Sequence, residues 1–172
     1  MFVMVIETSR LLLVPISRDY APDIFREFTS EITQYMYPKP AEKIEETYSF
    51  IDEAMEKNDR GEQLQMVILE KATNEFQGCI GLHEIKTKTP ELGVWLKKAA
   101  QGLGYGREAV TELENWAQYN LDFDYLRYPV DKRNTQSRKI PESLGGLPGL
   151  EFKTKSLHGG ELDQIEYRII KK

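Results

Sequence analysis

The glycine-rich stretch Gln101-Gly-Leu-Gly-Tyr-Gly106 is the part of the sequence that points most directly to chemistry. It lies between a predicted strand and a predicted helix. Glycines leave the N–H groups of a loop accessible, and a helix start adds unpaired N–H groups and the positive end of the helix dipole. This combination predicts an anion-binding cradle suited to a pyrophosphate. The alternative is a tight connection that needs glycine only for its turns.

Two common phosphate-binding motifs are excluded at this loop. A dinucleotide-binding GxGxxG pattern starting at Gly102 would require glycine at position 107, which is Arg107. The sequence also lacks the P-loop pattern GxxxxGKS or GxxxxGKT. The loop is therefore expected to bind its anion in another way.

The charges are unevenly distributed along the chain. The net charge is −5, which argues against nucleic-acid binding. Residues 19–62 contain 12 acidic and 5 basic residues, a local net charge of −7, whereas residues 132–139 contain four basic residues and no acidic one. The distribution suggests two ligands of opposite charge, or solvated helix faces in the case of the acidic segment.

Cysteine and histidine are too scarce for most metal sites and disulfide frameworks. Cys79 is the single cysteine, and His83 and His158 are the two histidines. Cys79 lies in an apolar stretch and is interpreted as buried, His83 as a structural residue and His158 as a turn residue. No stretch is apolar for long enough to span a membrane. These observations predict a cytoplasmic protein without a metal and without membrane partners.

The elements that position the glycine-rich loop form a mixed α+β pattern, with a single domain predicted over residues 1–172. A helix capped by Asp19 is expected to follow the first strand. Apolar residues at helical spacing predict the longer helices, and β-rich runs bounded by turn residues predict the strands. Strands are predicted over 10–16, 66–69, 76–85, 91–96, 125–130, 150–157 and 164–170, and helices from residue 19, over 44–55, after residue 106 and over 134–144.

Several short patterns follow one another in an order and spacing typical of one superfamily. They are Thr8-x-Arg10-Leu-x-Leu-x-Pro15, Glu91-Leu-Gly-Val-Trp-Leu96, the Gln-x-x-Gly-x-Gly loop, Gly106-Arg-Glu-Ala109, and Asn134-x-x-Ser137 with the 140–145 segment. Together they resemble the GNAT acetyltransferases, and among them the RimJ/RimL-like branch that modifies ribosomal-protein N-termini. The resemblance covers almost the whole chain.

This resemblance implies a strongly bent mixed β-sheet, splayed between its fourth and fifth strands, with helices on both faces. Acetyl-CoA would lie in the splay as co-substrate, its pantetheine arm paired with the strand edge as an added strand would be. Lys98 and the basic 132–139 cluster could add charge for its phosphates. The cofactor-binding residues implied are Val94, Trp95, Leu96, Gln101, Gly102, Leu103, Gly104, Tyr105, Gly106, Arg107 and Asn134.

The catalytic candidates are Glu91 and Ser137. Acetylation of an amine requires a group that removes a proton from the nucleophile, directly or through water. Glu91 begins the strand beside the implied thioester and is the candidate base, with a plain sheet-edge carboxylate as the alternative. Ser137 could hydrogen-bond the leaving thiolate or position the cofactor. A backbone N–H near Trp95 is the expected oxyanion donor.

Two departures from the family pattern bear on this assignment. The tyrosine acid that some relatives place seven residues after the asparagine is Pro141 here, and Gly146 replaces an aromatic residue. The predicted function is acetyl transfer from acetyl-CoA to a primary amine in a ternary complex. The alternative is a non-catalytic acyl-CoA-binding or regulatory module. The acidic 19–62 segment favours a cationic acceptor, and exposed Phe152 and Tyr167 favour a homodimer.

Overall fold

The computed structural model of the chain describes residues 4–172. These residues form one mixed sheet and four α-helices, joined by short 3-10 turns and loops. The strands are β1 (Ile6–Glu7), β2 (Leu11–Pro15), β3 (Leu64–Glu70), β4 (Phe76–His83), β5 (Glu91–Leu96), β6 (Tyr125–Asp131), β7 (Leu147–Lys155) and β8 (Glu161–Ile170). The helices are α1 (Ala21–Glu27), α2 (Ile44–Asp59), α3 (Tyr105–Asn120) and α4 (Thr135–Ser143).

The sheet has the strand order β1-β2-β3-β4-β5-β6-β8-β7. Its strands are antiparallel to their neighbours except for the parallel pair β5 and β6. That pair is aligned at Glu91 and Arg127 alone and then diverges. The implied splay is therefore present; it falls between β5 and β6 because the short β1 precedes the family's first strand.

Helices cover both faces of the sheet, and each face has its own apolar core. On one face α3 contributes Ala109, Val110 and Leu113, which pack against alternate residues of the central strands. On the other face α1 and α2 contribute Ile24 and Ile51. Because helices cover both faces, the residues of β3 and β4 are almost continuously buried instead of alternating.

Most of the predicted elements are confirmed. The strands β7 and β8 each begin three residues earlier than predicted, and the other differences lie in the N-terminal half. Asp19 does not cap a helix: it lies in a 3-10 turn, and α1 begins after it at Ala21 with Pro22 in its first turn. A proline there fits the geometry of a helix start. The short edge strand β1 was not predicted. Among residues 4–172, no helix is long and apolar enough to cross a bilayer.

Gly78 allows β4 to approach β5 closely at a register shift of the β3–β4 pair. A Cβ at this position would lie 2.1 Å from the Trp95 carbonyl oxygen and 2.8 Å from Leu96 Cα. We expect Gly78→Ala to lower the free energy of unfolding by about 1–3 kcal/mol, measured by denaturant unfolding. Gly93→Ala is the matched control on β5, because no heavy atom lies within 4 Å of its Cβ position. Equal stability of the two variants would contradict the packing argument.

Candidate active site

A cleft of about 530 Å³ opens where β5 and β6 diverge. Its walls come from β5, the glycine-rich loop, the start of α4 and the connection between α1 and α2. Among the predicted site residues, Leu103 and Glu91 do not line the cleft. Those that do are Val94, Trp95, Leu96, Gln101, Gly102, Gly104, Tyr105, Gly106, Arg107, Asn134 and Ser137. The structure therefore brings together residues separated by more than 40 positions in the sequence.

The edge of β5 that faces the cleft carries backbone groups that no neighbouring strand pairs with. The Lys97 N–H donates to the Gln77 carbonyl at 2.8 Å, so the alternation of an antiparallel ladder turns the N–H and C=O of Val94 and Leu96 away from β4. These groups face the cleft. Trp95 itself points its N–H at β4, so the expected oxyanion donor shifts to the neighbouring residues. The edge is suited to an extended ligand that binds as an added strand.

Pro129 explains why β6 leaves β5. The Arg127 N–H donates to the Pro90 carbonyl at 2.8 Å, which continues the sheet across the two strands. In a parallel pair the next N–H of β6 to reach β5 would belong to residue 129. Proline has no N–H to donate, so the ladder ends there and the cleft begins. A proline inside a predicted strand was a signal in the sequence that could have located this opening.

The glycine-rich loop presents a row of unpaired N–H groups to the cleft. Gly102 and Gly104 have positive φ angles of 83° and 81°, and Gly104 is the N-cap of α3. Within the described chain, no group accepts a hydrogen bond from the backbone N–H groups of residues 102–107. Gln101 donates from Nε2 to the Leu96 carbonyl at 3.2 Å and so ties the loop to β5. Unpaired N–H groups at a helix start are suited to an anion, and the role of this loop as an anion cradle stays a prediction.

Hydrogen bonds to Glu108 join the first turn of α3 to the segment between β1 and β2. Glu108 accepts hydrogen bonds from the Thr8 hydroxyl at 2.5 Å, the Arg10 N–H at 3.0 Å and the Arg10 Nε at 2.8 Å. The Arg10 guanidinium also lies 4.6 Å from the centre of the Tyr105 ring. Two of the family-like patterns in the sequence, at residues 8–15 and 106–109, therefore meet at one carboxylate.

Asn134 and Ser137 lie at the other wall of the cleft. Asn134 Oδ1 accepts the Ser137 N–H at 3.2 Å and caps α4. No acceptor for Asn134 Nδ2 is found among residues 4–172. The Ser137 hydroxyl is 2.7 Å from the hydroxyl of Tyr128 on β6. The sequence analysis did not identify Tyr128 as a site residue, because only the register of β6 under α4 places it beside Ser137.

Glu91 lies at the closed end of the fork between β5 and β6, which is the point where the two strands are still paired before they diverge. Its Oε1 is 3.2 Å from Arg127 Nη1, and Arg127 also contacts Glu84 and donates from Nε to the Thr89 carbonyl at 2.8 Å. Burial raises the pKa of the Glu91 carboxyl, and the charge of Arg127 partly opposes this. Glu91 is therefore a half-buried carboxylate at the end where the strands join, outside the lining of the cleft.

The basic 132–139 cluster does not form one phosphate site. Lys132 is paired with Glu151 and Asp163, and Arg133 lies 2.8 Å from Asp131. Arg138 donates to a tyrosine hydroxyl on β8 and to a backbone carbonyl. Of the four basic residues in this cluster, only Lys139 lines the cleft. The expected contribution to phosphate binding is therefore limited to Lys139, because neighbouring carboxylates and strands hold the other side chains.

Further cations lie closer to the glycine-rich loop. Lys98 and Arg107 both line the cleft. Lys98 Nζ is 2.7 Å from Glu31 Oε1 on the opposite wall, and both side chains are exposed. Within residues 4–172, neither Arg107 nor Lys139 makes an ion pair. These two side chains are therefore available to an anionic ligand, whereas Lys98 would have to exchange partners.

The acidic 19–62 segment contributes residues within 31–36 to the cleft wall, but little of its negative charge lies there. Its only acidic residue at the cleft is Glu31, which is neutralised by the ion pair described above. Glu45 and Glu46 lie in the exposed first turn of α2, and Asp52 is paired with Arg18 at 2.6 Å. These carboxylates form a solvated helix face and favour the helix start.

The histidines and the cysteine have structural environments. His83 Nδ1 is 3.0 Å from Gln63 Oε1, and burial lowers the pKa of its imidazole. His158 lies in the β7–β8 turn, where Nε2 is 3.1 Å from the Met36 carbonyl oxygen. Cys79 is buried, and that burial raises the pKa of its thiol. A thiol in this environment is a poor nucleophile.

Tyr167 is not the exposed aromatic residue that the homodimer prediction used. Its ring is buried in the α3-side core, and its hydroxyl contacts Arg138 Nε at 3.1 Å and Glu142 at 2.8 Å. Strand alternation places it on the covered face of β8. Phe152 on the edge strand β7 is partly exposed. Self-association stays a prediction that rests on the resemblance and on this edge.

The sequence model for the acetyltransferase (GNAT) domain matches residues 10–146 of this chain. The chain is also similar to an uncharacterized N-acetyltransferase, p20, of Bacillus licheniformis. The two are 27% identical over 170 residues, which cover 96% of this chain and 95% of the relative. The matched region includes β5, the glycine-rich loop and the start of α4.

Solved structures of acetyltransferases have a similar fold. One is an acetyltransferase of Salmonella typhimurium described as modifying the N-terminal serine of a 50S ribosomal subunit protein; the TM-score is 0.85, with 18% identity and coverage of 97% of this chain and 99% of that one. Another is a microcin C7 self-immunity acetyltransferase in complex with acetyl-CoA and AMP, with a TM-score of 0.81, 20% identity and coverage of 94% and 93%. At these identities the likeness concerns the fold.

Proposed function

This chain belongs to the acetyltransferase (GNAT) domain family, and we propose that it transfers the acetyl group of acetyl-CoA to a primary amine in a ternary complex. The acceptor classes are a protein N-terminus, a polyamine and another small amine. The observation that carries the proposal is the meeting, in one cleft, of the unpaired N–H groups of residues 102–107 and the open edge of β5. An extended ligand with an anionic end fits both.

Each part of acetyl-CoA has candidate partners in the cleft. The N–H groups of the glycine-rich loop would bind the pyrophosphate, with Arg107 and Lys139 adding positive charge. The cleft-facing Val94 C=O and Leu96 N–H would pair with the amides of the pantetheine arm. The Asn134 amide nitrogen would donate to the same arm. Leu103 is exposed and would take part only through its N–H.

The chemistry requires proton removal from the amine and stabilisation of the leaving sulfur. Acetyl-CoA supplies the acetyl group as a thioester, whose carbon–sulfur bond breaks as the carbon–nitrogen bond forms. Glu91 would take the amine proton, through water, from the closed end of the fork. The cleft-facing N–H of Val94 would donate to the carbonyl oxygen. The Ser137 hydroxyl would donate to the sulfur.

The acceptor is proposed as an amine without a required cationic neighbourhood. The acidic segment that favoured a cationic acceptor lies on an exposed helix face, and Glu31 at the cleft is already paired with Lys98. A protein N-terminus is retained as one acceptor class because the family-like patterns resemble the RimJ/RimL-like branch.

A non-catalytic acyl-CoA-binding module is the second candidate. The observations that favour it are Pro141, which is buried within α4 at the position of the missing tyrosine, and the absence of Glu91 from the cleft lining. Such a protein would bind coenzyme A as tightly as an enzyme does and would release no thiol.

We expect the protein to bind coenzyme A in isothermal titration calorimetry and to release its free thiol from acetyl-CoA in the presence of an amine. The acceptor screen should include peptides with free and blocked N-termini, polyamines and small monoamines. A peptide with a blocked N-terminus and no lysine is the matched negative control. Binding without thiol release for any amine would favour the non-catalytic module. No binding at millimolar coenzyme A would contradict both functions.

A further inference from the structure

Tyr128 is a buried hydroxyl group that the proposed reaction has not yet used. Its side chain lies on β6 beneath α4 within the α3-side core, and the residue is 3% exposed. Ser137 is the only hydrogen-bond partner of its hydroxyl within residues 4–172, at 2.7 Å. Ser137 is half-buried and lines the cleft. One hydroxyl of the pair therefore lies in the core and the other belongs to a residue of the cleft wall.

The direction of this hydrogen bond follows from burial. Burial raises the pKa of Tyr128 to about 12, so its phenol stays protonated at neutral pH. A buried O–H without another acceptor must donate to its one neighbour, which is Ser137 Oγ. The proton of Ser137 then cannot point back at Tyr128 and is free to point into the cleft. The serine is thus held as a donor toward the ligand.

We infer that Tyr128 is a positioning residue that orients the Ser137 hydroxyl as a hydrogen-bond donor to the sulfur of coenzyme A, and so stabilises the leaving thiolate. This inference rests on the proposed function. Tyr128 itself transfers no proton. As the carbon–sulfur bond breaks, the electron pair goes to the sulfur, the Ser137 O–H donates to it, and water later supplies the proton that the thiolate takes up.

The environment of the pair fits this role. Asn134 fixes the backbone of Ser137 by capping α4, and the packed ring of Tyr128 fixes the direction of the side-chain hydrogen bond. The serine is therefore constrained at both its N–H and its Oγ. It also takes the place of the tyrosine acid that Pro141 excludes, as a hydrogen-bond donor instead of an acid.

The test compares Tyr128→Phe, Ser137→Ala and the double variant. Phenylalanine keeps the ring packing and removes only the hydroxyl. We expect Tyr128→Phe to lower kcat about three- to tenfold with an unchanged KM for acetyl-CoA, as the loss of one hydrogen bond predicts. Ser137→Ala should lose more, and the double variant should lose no more than Ser137→Ala, because Tyr128 acts through the serine.

An equilibrium measurement separates this role from a general structural one. Coenzyme A bound to the wild-type protein should have a lower thiol pKa than coenzyme A bound to Tyr128→Phe or Ser137→Ala, measured by the ultraviolet absorbance of the thiolate in a pH titration. The expected difference is about 0.5–1 pH unit, which corresponds to a hydrogen bond of ordinary strength. Tyr167→Phe, which removes another buried tyrosine hydroxyl from the same core, is the control and should leave this pKa unchanged.

Three outcomes would overturn the inference. The first is a thiol pKa that does not differ between wild type and Tyr128→Phe. The second is a rise of the thiol pKa in Tyr167→Phe as large as that in Tyr128→Phe. The third is a loss of kcat in the double variant that equals the two single losses combined. Unfolding midpoints are compared first. If Tyr128→Phe is unstable, the titration uses Ser137→Ala, at the half-buried cleft wall, because the inference requires the Ser137 hydroxyl to lower the thiol pKa. The titration needs binding alone, so failure of the proposed function would show separately, as absent binding or absent thiol release in the wild-type protein.

Discussion

Replacement of Glu91 by glutamine should lower kcat about a hundredfold or more and leave the affinity for coenzyme A unchanged. The nitrogen of the acceptor must lose a proton, and Glu91 is the group proposed to take it. Glutamine has the same length and keeps an oxygen for Arg127 Nη1, which lies 3.2 Å from Glu91 Oε1, but it cannot act as a base. Steady-state kinetics with a thiol readout measures kcat, and calorimetry measures the affinity.

The same substitution should change the pH dependence. Burial raises the pKa of the Glu91 carboxyl, with Arg127 partly opposing. A base acts in its ionised form, so wild-type kcat should fall as the pH drops through this raised pKa and should be level above it. The decline should therefore begin at a higher pH than for an exposed glutamate. Glu91→Gln should show a low kcat without this acidic decline.

Glu84→Gln is the matched control for the Glu91 substitution. Glu84 is the other carboxylate on Arg127, and its side chain is exposed. Its removal disturbs the same ion-pair network without removing the proposed base, so kcat should stay close to wild type. Equal losses in both variants would assign the effect to the network around Arg127. A Glu91→Gln variant that keeps more than about a tenth of wild-type kcat would exclude Glu91 as the base.

The order of elements and the glycine-rich connection before α3 were predictable because they depend on local patterns. Apolar spacing marked α2 and α3, and the glycines of the 101–106 loop marked a backbone whose N–H groups stay accessible. The confirmed range of β5, Glu91–Leu96, matches the prediction residue for residue. Such features need only neighbouring residues to be recognised.

The features that were missed depend on register and on side-chain pairing over long separations. Tyr128 meets Ser137 only because β6 runs under α4, and nothing in the spacing of the two residues indicates a contact. The sequence indicated Lys132 and Arg133 as phosphate ligands. In the fold, Lys132 pairs with carboxylates of β7 and β8, and Arg133 pairs with Asp131. A list of charges along the chain cannot distinguish a free cation from one that the fold neutralises.

Gly104→Asp should weaken the binding of coenzyme A about ten- to a hundredfold. Gly104 is the N-cap of α3, with φ 81°, and lies among the unpaired N–H groups of the cradle. An aspartate there places a negative charge where the pyrophosphate is proposed to bind, and like charges at a binding site oppose each other by several kcal/mol when they are close. Calorimetric titration with coenzyme A measures the loss, which should become smaller as salt increases.

Gly104→Asn separates charge from backbone strain. Asparagine and aspartate are the residues other than glycine that adopt the left-handed conformation most readily, and the two side chains have nearly the same size. Both would meet Arg10 Nη2, which lies 3.4 Å from the Cβ position. The asparagine variant should therefore lose much less affinity than the aspartate variant. Both variants should use S-acetylpantetheine, which lacks the pyrophosphate, equally well. Equal losses for coenzyme A, or a loss for the truncated thioester specific to aspartate, would show that the charge acts somewhere other than on the pyrophosphate.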